Sequence, residues 1–410
     1  MSTNFWLTLI IALVTYIGIA IGRWPGLMVN RTTLTLIGVG MLLALKQIHF
    51  GQIREFLDLD TLILLFSMMV INANLQMAGF FRLAGSSLLK LTRNPRAFLA
   101  IEIILSGVLS ALFLNDTICL MLTPLVLSLL LTLERNPIPY LIALACSANI
   151  GSTATLTGNP QNMIIGIASG ISYARFAASL TPIALLGLGS VWLVLVLAYP
   201  QEFRGQPFKE MPPANILVIR PMLTKTLVII AGLLIAFLAG VPIALASFLA
   251  ACLLLFTRRV DPAKVLAEID WSLLVFFAAL FILTGALEAN GVTTEIFKQV
   301  PMSRQANAVS LTVVTVILSN LVSNVPAVML LRPLVSSLQN PSAGWLTLAV
   351  ASTLAGNLTL LGSVANLIVA EIAARRQVNL DFWEYTRSGA VITFISLIIG
   401  VLWLQTFTWH

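Results

Sequence analysis

Two short polar stretches interrupt long apolar runs of the chain, Asn115-Asp116-Thr117 and Ser323-Asn324-Val325-Pro326. An Asn amide offers its oxygen to a cation or its NH₂ to an anion, and the hydroxyls of Thr117 and Ser323 both donate and accept. Two further interruptions carry related chemistry: Thr155-Leu156-Thr157-Gly158-Asn159 through Asn162, and Thr359-Leu360-Leu361-Gly362-Ser363 through Asn366. Where helices break inside a bilayer, half-helix N-termini attract anions and freed carbonyls coordinate Na⁺. Substrate or ion contact is therefore expected at these four places. Bound Na⁺ is expected at Asn115/Gly158 and at Asn324/Gly362, with no other cofactor. The two glycines serve equally well for close helix packing. Asp116 is the one acid beside a break, and a charged carboxylate at the bilayer centre costs at least about 2.5–3.5 kcal/mol. It reads either as a proton- or cation-coupling residue or as the N-cap of the returning helix.

The elements that hold these residues are helices in a membrane. Of 410 residues 59% are hydrophobic and 10% charged, whereas soluble domains carry about 25% charged residues. About 20 apolar residues cross the hydrocarbon core. On that ruler single spans fall near 5–22, 27–45, 61–78, 178–199, 222–239, 242–257, 271–287 and 389–407. Segments 97–133 and 306–338 are too long for one span and polar at their centres, so each reads as a re-entrant hairpin. Segments 140–170 and 345–374 read as broken crossing helices. The run 5–22 has no basic residue before it and reads as a retained span, not a cleaved signal. Unwound backbone cannot face lipid, so the four breaks should share one buried polar site.

The chain also repeats itself. Asp60 and Asp270 precede the third and eighth spans as N-caps, and those spans end at Gly79 and Gly291, offsets of 210 to 212. Asn115 leads to Pro124-Leu125-Val126 and Asn324 to Pro333-Leu334-Val335, an offset of 209; Thr155 through Asn162 matches Thr359 through Asn366 at 204. Three matches in one order point to two homologous halves, residues 1–200 and 222–410, joined by a cytoplasmic linker at 201–221. Each half has five crossings and a hairpin, so the second copy is inverted. Counting Lys and Arg on alternate sides puts seventeen on one side and five on the other, with Arg332 inside a hairpin. The positive-inside rule then places both termini outside an inner (plasma) membrane. The fold expected is an all-α polytopic membrane protein built of two inverted repeats.

Several functions lose ground on composition alone. The net charge of +7 comes from scattered Lys and Arg without interleaved aromatics, so nucleic acid is not a partner. Only His49 and His410 are present, and Cys119, Cys146 and Cys252 lie far apart in apolar runs. Zinc centres and most catalytic triads are thereby unavailable, and each Cys reads as a small core residue. No GxxxxGK[ST] signature supplies ATP. Arg332 lies eight residues past the second tip, about 12 Å along a helix, and is expected to snorkel to the outer interface. Glu288 and Glu371, at span ends, are expected to face water. The leading reading is a secondary transporter of a small anion coupled to Na⁺ or H⁺. A Na⁺/H⁺ antiporter is the alternative, disfavoured by a core offering a single acid; a channel or membrane-embedded enzyme is more remote.

The run Ala111 to Asp116 with Leu122 to Val126 resembles the arsenical-pump membrane protein family. Ala148-Asn149-Ile150-Gly151-Ser152-Thr153-Ala154-Thr155 through Asn162 is similar to the matching stretch of the melanosomal P-protein and its antiporter relatives. All belong to the ion-transporter superfamily that includes the divalent-anion/sodium symporters. The resemblance implies an elevator-type carrier, usually a homodimer, with both hairpins and both broken helices in the moving part. It carries hairpin-tip roles to Asn115 and Asn324 and broken-helix roles to Gly158, Asn162, Gly362 and Asn366. Those symporters have Ser-Asn-Thr at both tips; this chain has Asn115-Asp116-Thr117 and Ser323-Asn324-Val325.

Overall fold

A computed structural model describes residues 3–21, 29–204, 207–208, 218–257, 260–299 and 307–409. Helix accounts for 82% of it, and no strand occurs among the described residues. In chain order the helices are α1 (Thr3–Ile21), α2 (Arg31–Ala44), α3 (Ile53–Phe56), α4 (Leu59–Ala78), α5 (Phe80–Leu91), α6 (Pro95–Leu112) and α7 (Asn115–Thr132). There follow α8 (Ile138–Ser152), α9 (Pro160–Ser169), α10 (Tyr173–Ala198), α11 (Pro200–Phe203), α12 (Arg220–Leu238), α13 (Ile243–Leu255) and α14 (Pro262–Ala267). The last are α15 (Trp271–Ala289), α16 (Val292–Gln299), α17 (Ala308–Val322), α18 (Asn324–Ser336), α19 (Pro341–Ala355), α20 (Val364–Arg375) and α21 (Phe382–Phe407). Eight of the described helices are long and apolar enough to cross a membrane. Much of the linker expected at 201–221 lies outside the described residues, as do Arg23, Lys209, Arg258, Arg259 and Arg304.

Local chemistry sets the boundaries. Asp270 caps α15 by accepting from the Leu273 amide, and Gly291 ends that region at φ 72°. On the other copy the cap is Asp58, which accepts from Thr61 N, while Asp60 sits in the first turn. The expectation for Asp60 is thus corrected by two residues. A cap side chain must reach the N2 or N3 amide, and Asp58 stands three residues before that donor. The correction brings cap and terminal glycine to one offset, 212, since Gly79 has φ 85°. Asp116 is no cap either: Leu114 holds that position and Asp116 lies in the first turn of α7.

The packing pairs elements of one half with elements of the other. Helix α2 packs on α15, and α13 on α4; α7 packs on α20, and α18 on α9. Within halves, α6 packs on α8 and α17 on α19. Glycines permit the closest approaches: a Cβ on Gly151 would meet the backbone of Gly107, and one on Gly389 the carbonyl of Asn357. Leu, Ile and Val on the faces of α1, α12 and α13 remain exposed, as lipid-facing positions of a spanning helix should. Cys119 and Cys146 are buried but Cys252 is exposed, correcting its assignment to the core: α13 turns that residue outward. Arg332 reaches Asp58 at 3.6 Å, so its charge ends on the α4 cap and not only at the interface. Glu371 pairs with Arg375 at 2.8 Å, both exposed.

Candidate functional site

The broken helices are fastened by two amides in the same manner. Asn162 Nδ2 donates to the carbonyls of Ser152 (3.1 Å) and Thr155 (2.9 Å). Asn366 Nδ2 donates to those of Gly356 (2.7 Å) and Thr359 (3.1 Å). Each amide thus reaches back ten and seven residues, and every one of these residues is related to its counterpart by an offset of 204. Both acceptors in each clasp are carbonyls, which fixes the NH₂ end. The helix after each break is capped by the residue that follows the glycine: Asn159 accepts from Asn162 N, Ser363 from Ala365 N. Gly158 and Gly362 let the loops close on themselves. A Cβ would lie 2.6 Å from Ser152 Cα in the first loop and 2.9 Å from the Gly356 carbonyl in the second.

Between the loops lies a buried amide cluster whose centre is Asn149, a residue inside α8. Its Oδ1 accepts from Asn115 Nδ2 at 2.9 Å and from Ser363 Oγ at 3.2 Å. Its Nδ2 donates to Asn357 Oδ1 at 2.8 Å and Asn366 Oδ1 at 3.0 Å. Asn159 and Gln161 donate to Thr353 Oγ1 at 3.2 and 3.3 Å. The first tip is tied in by its backbone, Asn115 N donating to Gly158 O at 3.0 Å. Thr155 Oγ1 donates to Ala111 O. Of the residues expected at the site, Asn115, Thr155, Gly158, Asn159, Asn162, Ser363 and Asn366 therefore converge. Thr359 contributes its carbonyl, and Gly362 closes its loop. Ser323 holds φ 82° ahead of α18, a left-handed backbone that turns the second tip.

Oxygen atoms are left over. Asn115 Oδ1, Asn162 Oδ1, Asn324 Oδ1 and Asn320 Oδ1 are buried without a hydrogen-bond partner, although such a group costs about 1–3 kcal/mol. Asn320 Nδ2 donates to Val316 O and Ala355 O, so its oxygen is again the free end. Asn320 Oδ1 lies 3.2 Å from where a Gly362 Cβ would stand, and Asn324 Nδ2 lies 3.1 Å from where a Gly356 Cβ would. An unpaired neutral oxygen is the kind of ligand that a hard monovalent cation takes. Of the residues expected to hold Na⁺, Asn115 and Asn324 offer such an oxygen, while the Gly158 carbonyl already accepts from Asn115 N.

Asp116 and Thr117 face elsewhere, into a cavity of about 330 Å³ bounded by α2, α4, α7, α15 and the starts of α9 and α20. Asn30, Glu268 and Asp270 lie exposed at its rim, and Asn72, 3% exposed, is at its floor. Asn72 Nδ2 donates to Thr117 Oγ1 at 3.2 Å while its Oδ1 has no partner. Gln76 donates to Glu268 at 3.2 Å. Arg31 is the cation of this lining, set among Asp116, Glu268 and Asp270. Asn149, Asn357, Asn72, Asn320 and Arg31 were not among the site residues expected from sequence. Asn357 adjoins a recognised break and Asn149 lies in the Ala148 to Asn162 motif, so both carried a signal. Asn72 and Arg31 carried none, because the cavity joins segments remote in sequence. The expectation that the core offers one acid is corrected as well: Glu102, inside α6, is 1% exposed.

A profile of the CitMHS family, described as citrate transporter, matches residues 16–355. The silicon efflux transporter LSI3 of Oryza sativa subsp. japonica is 32% identical to the chain, covering 92% of it and 93% of its own length. The 46 kDa membrane protein of Mycobacterium leprae is 31% identical, covering 96% and 97%. A putative transporter, arsB, of Dictyostelium discoideum is 25% identical, covering 91% and 87%. Among solved structures the YdaH transporter of Alcanivorax borkumensis, whose topology is described as unusual, superposes with a TM-score of 0.61. It covers 99% of this chain and 98% of its own at 15% identity, a likeness of fold alone.

Proposed function

The chain belongs to the CitMHS citrate-transporter family, and from that premise we propose that it carries a small anion, an inorganic oxyanion or a carboxylate, in exchange or symport with Na⁺ or H⁺. Membership makes it a multi-pass membrane transporter and not an enzyme. The observation that carries the finer reading is the charge of the cavity against its position. Three carboxylates and one guanidinium line a space that ends at the first tip. An anion entering alone meets net negative charge, and like charges brought together cost several kcal/mol. It is accepted once Na⁺ or protons neutralise the lining, and that requirement is coupling. Arg31, Thr117 and Asn72 supply the donors for the anion. The unpaired oxygens of Asn115, Asn320 and Asn324 would hold Na⁺, whose charge at the tips draws the anion toward them. A volume near 330 Å³ is at the small end of ligand pockets, which suits a small oxyanion or a carboxylate such as citrate, in keeping with the description of the family.

The matched clasps and exchanged packing support two inverted repeats, and the Lys and Arg count supports both termini outside and the cavity open to the cytoplasm. They support an elevator in which α6 to α9 and α17 to α20 move together, and the homodimer that such carriers form is proposed with it. The test is uptake into proteoliposomes of arsenite, silicate, sulfate, phosphate, citrate and succinate, each with and without Na⁺ and pH gradients. Gradient-dependent accumulation of one of them is expected. Unitary currents would make the protein a channel. The carboxylate-rich cavity also favours a second reading, Na⁺/H⁺ antiport, in which Na⁺ moves against protons with none of the six anions present.

A further inference from the structure

Helix α6 carries a carboxylate that none of the chemistry above uses. Both oxygens of Glu102 are buried without a hydrogen-bond partner. Phe98, Leu99 and Ile103 on its own helix and Ala143 and Leu144 on α8 are buried beside that stretch. Glu102 lies eight residues beyond the Asn94 cap, roughly 12 Å into the helix. Ionised and unpaired, a carboxylate there carries a penalty of several kcal/mol, which a bound proton would remove.

The α6–α8 interface is polar on both sides of Glu102. Toward the helix starts, Tyr140 donates to Glu202 Oε1 at 3.0 Å, and Arg135 Nε donates to the same oxygen at 2.8 Å. The Tyr140 ring meets Phe98, one turn before Glu102, edge to face at 5.6 Å between centroids. Toward the tip, Ser106 and Ser147 hydroxyls meet at 2.5 Å, and Ser110 donates to Ala148 O at 2.6 Å. The next residue, Asn149, is the centre of the amide cluster. Glu102 thus stands between the Glu202 carboxylate on α11 and the cluster at the breaks. The other ionisable residues on elements packed against α6 are Cys146 on α8, Asp116 and Cys119 at the tip end of α7, Arg82 and Lys90 on α5, and Tyr173 and Arg175 in the first turn of α10. Arg96, on α6 itself, is engaged by Phe203 O at 3.0 Å.

We propose that Glu102 is a proton-binding site of the transport cycle, loaded in the conformation described here and released toward Tyr140 and Glu202 when α6 and α8, moving as one body, shift against α10 and α11. Amide oxygens at the tips suit a metal cation and do not take up protons at ordinary pH. A carboxyl does, and only the proton moves: the acid becomes carboxylate, with no other bond made or broken. The proposal deepens the anion-carrier reading by naming where a coupling proton sits.

Two measurements separate its failure from failure of that reading. In the first, infrared spectra of the full-length protein in lipid nanodiscs are taken from about pH 5 to about pH 9, above the ordinary Glu value of about 4.3. A protonated-carboxyl band present in wild type and absent in Glu102→Gln is expected, its intensity falling as pH rises. This arm needs no substrate. No such band, or one unmoved by pH, overturns the proposal. In the second, Glu102→Gln is compared with wild type in proteoliposomes using whichever of the six anions wild type exchanges. Counterflow should persist, whereas a one-unit pH gradient, which drives up to about tenfold accumulation per proton exchanged, should drive none. Glu102→Asp should restore part of it. Unchanged pH-driven accumulation in Glu102→Gln overturns the proposal; absence of exchange by wild type tells against the anion carrier and leaves the infrared arm to decide on Glu102.

Discussion

Removing the Asn149 side chain would strand four partners at once: Asn115 Nδ2, Ser363 Oγ, Asn357 Oδ1 and Asn366 Oδ1. A buried polar group left unpaired costs about 1–3 kcal/mol, so Asn149→Ala should lower thermal stability in detergent well below wild type and abolish transport. Asn115→Ala and Asn324→Ala remove oxygens that have no partner, and the acceptor of the Asn115 amide, Asn149 Oδ1, keeps Ser363 Oγ, so both should abolish transport while melting closer to wild type than Asn149→Ala. A wild-type melt for Asn149→Ala would mean that the amide cluster does not hold the loops. Asp116 is the test of coupling, since it lines the cavity and caps nothing. Asp116→Asn should keep counterflow and lose its dependence on the ion gradient; gradient-driven accumulation with wild-type pH dependence would remove Asp116 from coupling. The clasp residues Asn162 and Asn366 were legible in the sequence because identical spacing in two copies survives without knowledge of the fold. Glu102 was not, because a single acid within an apolar run looks the same whether it snorkels or is sealed by neighbours, and only packing against α8 decides.

At the scale of elements, the breaks were legible and the helices between them less so. The single spans stood out because about 20 apolar residues are needed to cross the core. Helices α5 and α16, twelve and eight residues long, fall below that ruler, and no span is expected there from the sequence. They follow α4 and α15 directly, across Gly79 and Gly291, whose positive φ L-residues rarely adopt. The loop glycines make a graded prediction. Gly158→Ala drives a methyl onto the Ser152 backbone, 2.6 Å from Cα and 2.9 Å from the carbonyl carbon; Gly362→Ala meets the Gly356 carbonyl oxygen at 2.9 Å and then an Asn320 side-chain oxygen at 3.2 Å. Backbone yields less readily than a side chain, and overpacking typically costs about 1–3 kcal/mol. Gly158→Ala should therefore express and melt worse than Gly362→Ala. The reverse order would mean that the second loop, not the first, is the rigid one.

For the whole molecule, the orientation of the cavity turns on whether the second half is inverted. The exchanged pairs, α2 with α15 and α4 with α13, α7 with α20 and α9 with α18, are what a two-fold relation between halves produces. An odd number of crossings per half would lay that axis in the membrane plane. Sequence carried this reading through offsets of 204 to 212, but could not place the cavity, whose walls come from both halves. Lys46 and Arg175 fall on the side poor in Lys and Arg, Lys264 and Arg375 on the rich side, and all four are exposed. The rim residues Glu268 and Asp270 follow Lys264 by four and six positions, beyond the short helix α14, so the side of Lys264 is the side to which the cavity opens. In a variant stripped of its own three cysteines, single cysteines at Lys46 and Arg175 should react with an impermeant maleimide on intact cells. Those at Lys264 and Arg375 should react only after permeabilisation, placing the cavity mouth in the cytoplasm. Labelling of Lys46 and Lys264 from one side would break the inversion; labelling of Lys264 from outside with Lys46 protected would keep it and turn the whole carrier, with its cavity, to face the exterior.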